Sequence, residues 1–208
     1  RKGAGVLDRL MPLLIERVPC VENRDITLRR ILNLFEAVAG RNVYLSLLAE
    51  NPDALNQLIT LAAASPWICE FMAEYPILFD ELLDPRSLFE PLKKADLCRD
   101  LQRELERIDG NDGEQLMIAL RQFKHQNVLR VAAADIMGVV PVMIVSDYLT
   151  WIAEAILEQV LERAWRILAD KHGCPPGTQA DKAGGFAIVA FGKFGGIELG
   201  YASDLDLV

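Results

Sequence analysis

Histidine is nearly missing from this chain of 208 residues: His125 and His172 are the only two. That argues against a histidine-rich metal centre and against a Ser-His-Asp triad, both of which need imidazole. Cysteine is sparse as well. Cys20, Cys69, Cys98 and Cys174 lie far apart and form no C-x-x-C pair. They read as free, buried thiols in a reducing cytosol rather than as a disulfide framework or a zinc site. No apolar run approaches the roughly 18 residues of a membrane span. The longest, around Val139 to Val145, is interrupted by Pro141. The opening Arg1-Lys2-Gly3-Ala4-Gly5 has no apolar segment or cleavage pattern behind it, so no signal peptide is expected and a cytoplasmic location is. The chain starts without Met and stops inside an apolar run, and so reads as part of something longer. Basic residues are in deficit, 22 against 30 acidic, for a net charge of -8. That argues against a protein whose main task is to neutralise nucleic-acid phosphates. It does not exclude a nucleotide held through cations, which reverse the local field.

What is present is core material. Hydrophobic residues make up 51% and charged residues 25%, the balance of a folded domain rather than a disordered tail. Residues 1–172 read as successive helices. Leu28, Ile31, Leu32, Phe35, Val38 and Ala39 follow helical spacing from Thr27 onward. Asn51-Pro52 and Ser65-Pro66 look like helix starts, a cap followed by proline in the first turn; Tyr75-Pro76 and Asp84-Pro85 mark further breaks. Leu97, Leu101, Leu105 and Ile108 form another stripe, and Gly110-Asn111-Asp112-Gly113 a loop. Two long helices are expected at about 114–136 and 146–171. The second has Ser146 as its cap and a stripe from Leu149 through Ile152, Ala153, Ile156, Val160, Leu161, Ala164 and Trp165 to Leu168. After a loop over 173–185, Phe186–Phe191 reads as a buried strand, Gly192–Tyr201 as a glycine-rich connection with room for a short helical turn, and Ser203–Val208 as a second strand.

The last strand carries the chemistry. Residues two apart on a strand share a face, so Asp204 and Asp206 would point together, with Leu205 and Leu207 packed on the other side. Two such carboxylates repel unless a cation lies between them, and Mg²⁺ suits oxygen ligands and phosphates. Gly195 and Gly196 leave the backbone N–H groups bare for a phosphate. The parts fit a metal-dependent phosphoryl or nucleotidyl transfer site; a solvated strand end is the competing reading.

The stretch "FAIVAFGKFGGIELGYASDLDLV" resembles the nucleotidyltransferase signature of the glutamine synthetase adenylyltransferases, a branch of the DNA polymerase β-like superfamily. "NPDALNQLITLAAASPWICEFMAEYPILFDELLDP" and "ALRQFKHQNVLRVAAADIMGVVPVMIVSDYLTWIAEAI" are also similar to this family, in particular to its C-terminal, adenylylating half. The resemblance implies a mainly α chain. A helical, bundle-like linker or regulatory region at 1–172 and a loop at 173–185 precede the first strands of an α/β nucleotidyltransferase domain at 186–208. It implies that a tyrosine hydroxyl of glutamine synthetase attacks the α-phosphorus of ATP and releases pyrophosphate. Asp204 and Asp206 would be the catalytic Mg²⁺ ligands, and Gly195, Gly196 and Ser203 would line the triphosphate. Lys193 would reach a phosphate or stay solvated. Glu198 would brace the connection or bind metal. Phe194 replaces a common aliphatic residue. The superfamily's third carboxylate lies on a later strand, so this chain alone is expected to have little or no activity.

Three functional readings follow. The first is an AMP-transferring site. The second is the family's other half, which removes AMP by phosphorolysis. The third is a helical docking and relay module for glutamine synthetase and a PII signal protein. Neither nucleic acid nor membrane is expected as a partner. Arg121, Lys124, Arg130 and Asp135 would meet phosphates or a partner, or form a solvated or salt-bridged face. Trp67 and Tyr75 read as core or interface packing rather than a base-stacking platform, and His125 as a surface or packing residue rather than a ligand.

Overall fold

The computed structural model of the chain describes residues 4–110, 112–178 and 186–208. The opening at 1–3, Asn111 in the expected loop at 110–113, and 179–185 in the expected loop at 173–185 lie outside the described residues. The described chain is mainly helical, as expected. In order come α1 (Ala4–Arg17), α2 (Arg24–Val38), α3 (Asn42–Glu50), α4 (Pro52–Ala64), α5 (Pro66–Glu74), a 3₁₀ stretch (Pro76–Leu83), α6 (Pro85–Phe89), α7 (Lys94–Leu105), α8 (Gly113–Ile136) and α9 (Val145–His172). Strand β1 (Ala190–Phe191), the single turn α10 (Gly192–Gly195) and strand β2 (Asp206–Leu207) close the chain. It divides into two compact units: Arg1–Pro91 with Leu129–Val139, and Leu92–Val128 with Val140–Val208.

In the first unit, proline sets the boundaries. Asn51, Ser65, Tyr75 and Asp84 each precede a proline, and each has φ between -141° and -120° with ψ between 75° and 123°. The proline ring excludes the helical region for its predecessor, while its own missing N–H is harmless in a first turn. Of these four, Asp84 alone caps through its side chain, accepting from the Arg86 N–H at 3.1 Å. The cap expected of Asn51 is not made: its Nδ2 turns back and donates to the Leu47 carbonyl at 2.8 Å. Ser65 makes no side-chain cap either.

The core of this unit is built from Leu10, Leu14, Ile31, Leu34, Leu55, Leu58, Ile68, Met72 and Phe79, all at 1% exposure or less. Each fully buried side chain of this kind contributes roughly 2 kcal/mol. The α2 stripe is Thr27, Ile31, Leu34, Phe35 and Val38, so Leu32, expected inside, faces out at 39% exposure. Two polar devices tie the unit together. Arg30 donates to the carbonyls of Ala62 and Ala63 at 2.6 and 3.1 Å, capping the C-terminus of α4, where the helix dipole favours a cation. Arg130 Nε lies 2.6 Å from Glu81 Oε2, with Glu81 buried, so Arg130 is a salt-bridge residue.

In the second unit, Leu97, Leu101 and Leu105 of α7 are buried where α7 packs on α9. Lys94 meets Glu154 across that seam at 2.8 Å. The hydrogen bond to Glu154 raises the Lys94 ammonium above its ordinary pKa. The stripe expected along all of α9 is buried only through Val145, Leu149, Ile152 and Ala155; Val160 and Leu168 are 41% and 55% exposed. Length explains this. A 12-residue helix spans roughly 18 Å and a 28-residue helix roughly 42 Å, so α7 cannot cover its partner. The helix starts at Val145 behind Ile144, and Ser146 is not its cap.

The thiols do not all follow the expectation. Cys69 is buried and Cys98 partly so, but Cys20 and Cys174 are exposed. Among the described residues, no helix is long and apolar enough to cross a membrane.

Candidate functional site

Strands β1 and β2 pair antiparallel, with Ala190 opposite Leu207 and Phe191 opposite Asp206. The ladder continues one step through reciprocal bonds between Val189 and Val208, at 2.7 and 3.0 Å. Both strands are shorter than their apolar runs. The buried strand expected at 186–191 is in fact open: Phe186, Val189 and Phe191 are 58%, 49% and 53% exposed. Leu205 and Leu207 are likewise only part-covered. A continuous apolar strand is buried when layers cover both its faces; among the described residues this sheet has two strands.

The glycine turn is more specific than its composition indicates. Gly192 takes φ +56°, which lets the chain pass from β1 directly into α10. A β-carbon there would run into the Asp206 carboxylate. Gly195 is bare because a β-carbon would overlap the Ala190 carbonyl. The Gly196 N–H donates to the Gly192 carbonyl at 3.0 Å. α10 then ends in a Schellman motif: Ile197 N–H to Phe194 at 3.2 Å, and Glu198 N–H to Lys193 at 2.7 Å. The left-handed residue of that motif, usually glycine, is Ile197 at φ 59°. The Glu198 backbone thus braces the turn, and its side chain lies over Gly196. Lys193 is exposed on the last turn of α10.

A second tight turn follows. Ser203 N–H donates to the Gly200 carbonyl at 3.1 Å, and Gly200 N–H donates to Ser203 Oγ at 2.9 Å. Because Ser203 Oγ accepts there, its proton is left to donate elsewhere. Asp204 comes next, exposed and outside the strand; Asp206 is exposed within β2. Leu205, between them, lines a cleft of about 170 Å³ walled by Leu149, Ile152 and Ile156 of α9. In an extended run the two carboxylates leave on the side opposite Leu205. Among the described residues neither meets a cationic side chain, and no group of three or more His, Cys, Asp or Glu could hold a metal ion. Two bare carboxylates are hard oxygen donors that fit Mg²⁺.

The sequence pattern pointed to Gly195, Gly196, Asp204 and Asp206, and the family resemblance added Ser203 and Lys193; neither pointed to Gly192. The signal was present: Gly192 immediately follows an apolar run, where a strand must turn.

The family model described as glutamate-ammonia ligase adenylyltransferase matches residues 55–208. The chain is 53% identical to a bifunctional glutamine synthetase adenylyltransferase/adenylyl-removing enzyme of Methylococcus capsulatus, over 100% of this chain and 23% of the relative. It is 54% identical to the protein of that name in Pseudomonas syringae pv. tomato, over 97% of this chain and 21% of the relative. With the Pseudomonas putida protein the identity is 52%, over 100% and 21%. The chain therefore spans between a fifth and a quarter of the length of these relatives.

Proposed function

The chain belongs to the glutamate-ammonia ligase adenylyltransferase family, and from that premise we propose that residues 186–208 form the nucleotide-gripping edge of a site that moves AMP from ATP to a tyrosine of glutamine synthetase. The observation that carries this reading is the placement of Asp204 and Asp206. They are exposed, face no cationic side chain among the described residues, and follow two hydrogen-bonded turns. In this reading the two carboxylates hold Mg²⁺. The cation, when bound, spreads the negative charge of the triphosphate.

The chain's own groups do the rest of the gripping. Ser203 donates its free hydroxyl proton to a phosphate oxygen. Lys193, exposed beside the turn, reaches the triphosphate as a point charge. Gly195 and Gly196 keep the turn beside the triphosphate tight, their missing β-carbons facing the Ala190 and Gly192 carbonyls. The Gly196 N–H is already used within the turn, so it is not a phosphate donor here. The protein works in the cytoplasm.

The names of the relatives join AMP transfer to AMP removal, which keeps phosphorolysis as a second reading of the same site. The helical residues 1–172 serve in either case as the region where glutamine synthetase and a PII-type regulator dock. The deciding experiment places this segment in a full-length family enzyme. Labelled AMP transfer to glutamine synthetase and phosphate-dependent AMP release are then followed with Asp206→Asn. Loss of transfer alone supports the first reading and loss of release alone the second. Full activity in both directions refutes the site.

A further inference from the structure

Between 186 and 208 two residues are buried: Phe194 at 7% exposure and Leu199 at 4%. Everything else in that segment is exposed or half-exposed. Segments so thinly anchored depend on their few buried contacts for their position. Leu199 lines the cleft walled by Leu149, Ile152 and Ile156 of α9. Immediately after it comes the turn Gly200–Ser203, closed from both ends by hydrogen bonds of 3.1 and 2.9 Å. Asp204 is the next residue. A short, doubly closed turn has little freedom, so a displacement of Leu199 is passed to Asp204 rather than absorbed. Leu205, 40% exposed, lines the same cleft from beyond the turn.

We infer that Leu199 is a positioning residue: buried on the wall of the cleft it shares with Ile152 and Ile156 of α9, it fixes where the carboxylates of Asp204 and Asp206 stand. The inference rests on the reading that those carboxylates hold a divalent cation. It adds a function for the first half of α9, which becomes the wall against which the cation ligands are aligned. Truncating Leu199 leaves a void in the cleft, and the turn slides into it. Misplacing a ligand in this way weakens cation binding without removing any ligand.

The test uses a full-length family enzyme carrying this segment, with Mn²⁺ as the probe and free Mn²⁺ read by electron paramagnetic resonance. Leu199→Ala is expected to weaken Mn²⁺ binding by about tenfold or more. Leu199→Met, which refills the cleft, restores it. Leu58→Ala, a fully buried leucine of α4 in the other unit, lowers thermal stability and leaves Mn²⁺ affinity unchanged. If Leu199→Ala does not fold, Leu199→Val gives the same direction at smaller size. The inference is overturned if the Leu199 variants bind Mn²⁺ as wild type while Asp206→Asn does not. A loss that Leu199→Met fails to restore, or that Leu58→Ala reproduces, overturns it equally. If Asp206→Asn also binds as wild type, the cation site itself falls and the inference with it.

Discussion

Ile197 occupies the left-handed position of the Schellman turn with a β-branched side chain that is 53% exposed. The left-handed conformation disfavours such a residue by about 1–2 kcal/mol, and little burial offsets it. Ile197→Gly should therefore raise stability by about 0.5–1 kcal/mol after the extra entropy of an unfolded glycine is deducted, as urea denaturation would show. Gly192 predicts the opposite. Gly192→Ala meets both a φ of +56° and the Asp206 carboxylate, and should lower stability by at least about 1 kcal/mol in the same assay. Cys69 adds a pH dependence. Burial pushes its thiol from 9.0 up to about 11. The unfolded thiol ionises first as pH rises, so the stability contributed by the neutral thiol is complete below pH 9. It falls by about 1.4 kcal/mol per pH unit between 9 and 11. Unfolding free energies at pH 8 and pH 10 should show that decline, and Cys69→Ala should flatten it.

At the scale of elements, the buried ion pair Glu81–Arg130 ties the end of α8 to the 3₁₀ stretch within one unit. Arg130→Met strands a buried carboxylate and is expected to cost about 3 kcal/mol or more. Replacing both partners with apolar residues should recover much of that, measurable as a double-mutant cycle. Such long-range pairs were not legible in the sequence. The helices were, because a 3.6-residue period and proline punctuation are local signals: Pro52, Pro66, Pro76 and Pro85 each begin an element, although Pro12 lies within α1. Side-chain capping was not, since Asn51 and Ser65 have the right chemistry and other geometry. In α8 the limit is physical. Leu116, Ala119 and Phe123 form one stripe, whereas Val128, Leu129 and the run Val131 to Ala134 are buried, and no single period describes both. For the site, the acid pair and glycine pair were visible as types. Which glycine turns the chain, and which residue of the segment is buried, are tertiary facts: the Asp206 carboxylate of β2 lies over Gly192, and Leu199 is buried on a cleft shared with α9.

For the whole molecule, the thiols give a direct check of the fold. Ellman's reagent at pH 8 should modify Cys20 and Cys174 quickly, Cys98 more slowly, and Cys69 only on unfolding. The short ladder of β1 and β2 bears on handling. Among the described residues the sheet has two strands, so each is an edge strand, and Phe186, Val189, Phe191 and Val208 are exposed along them. Mutual repulsion from a charge of -8 holds neighbouring copies apart at neutral pH. Near the isoelectric point of about 4.9 that shield vanishes. Turbidity should then climb steeply with concentration, seeded by strand joining strand.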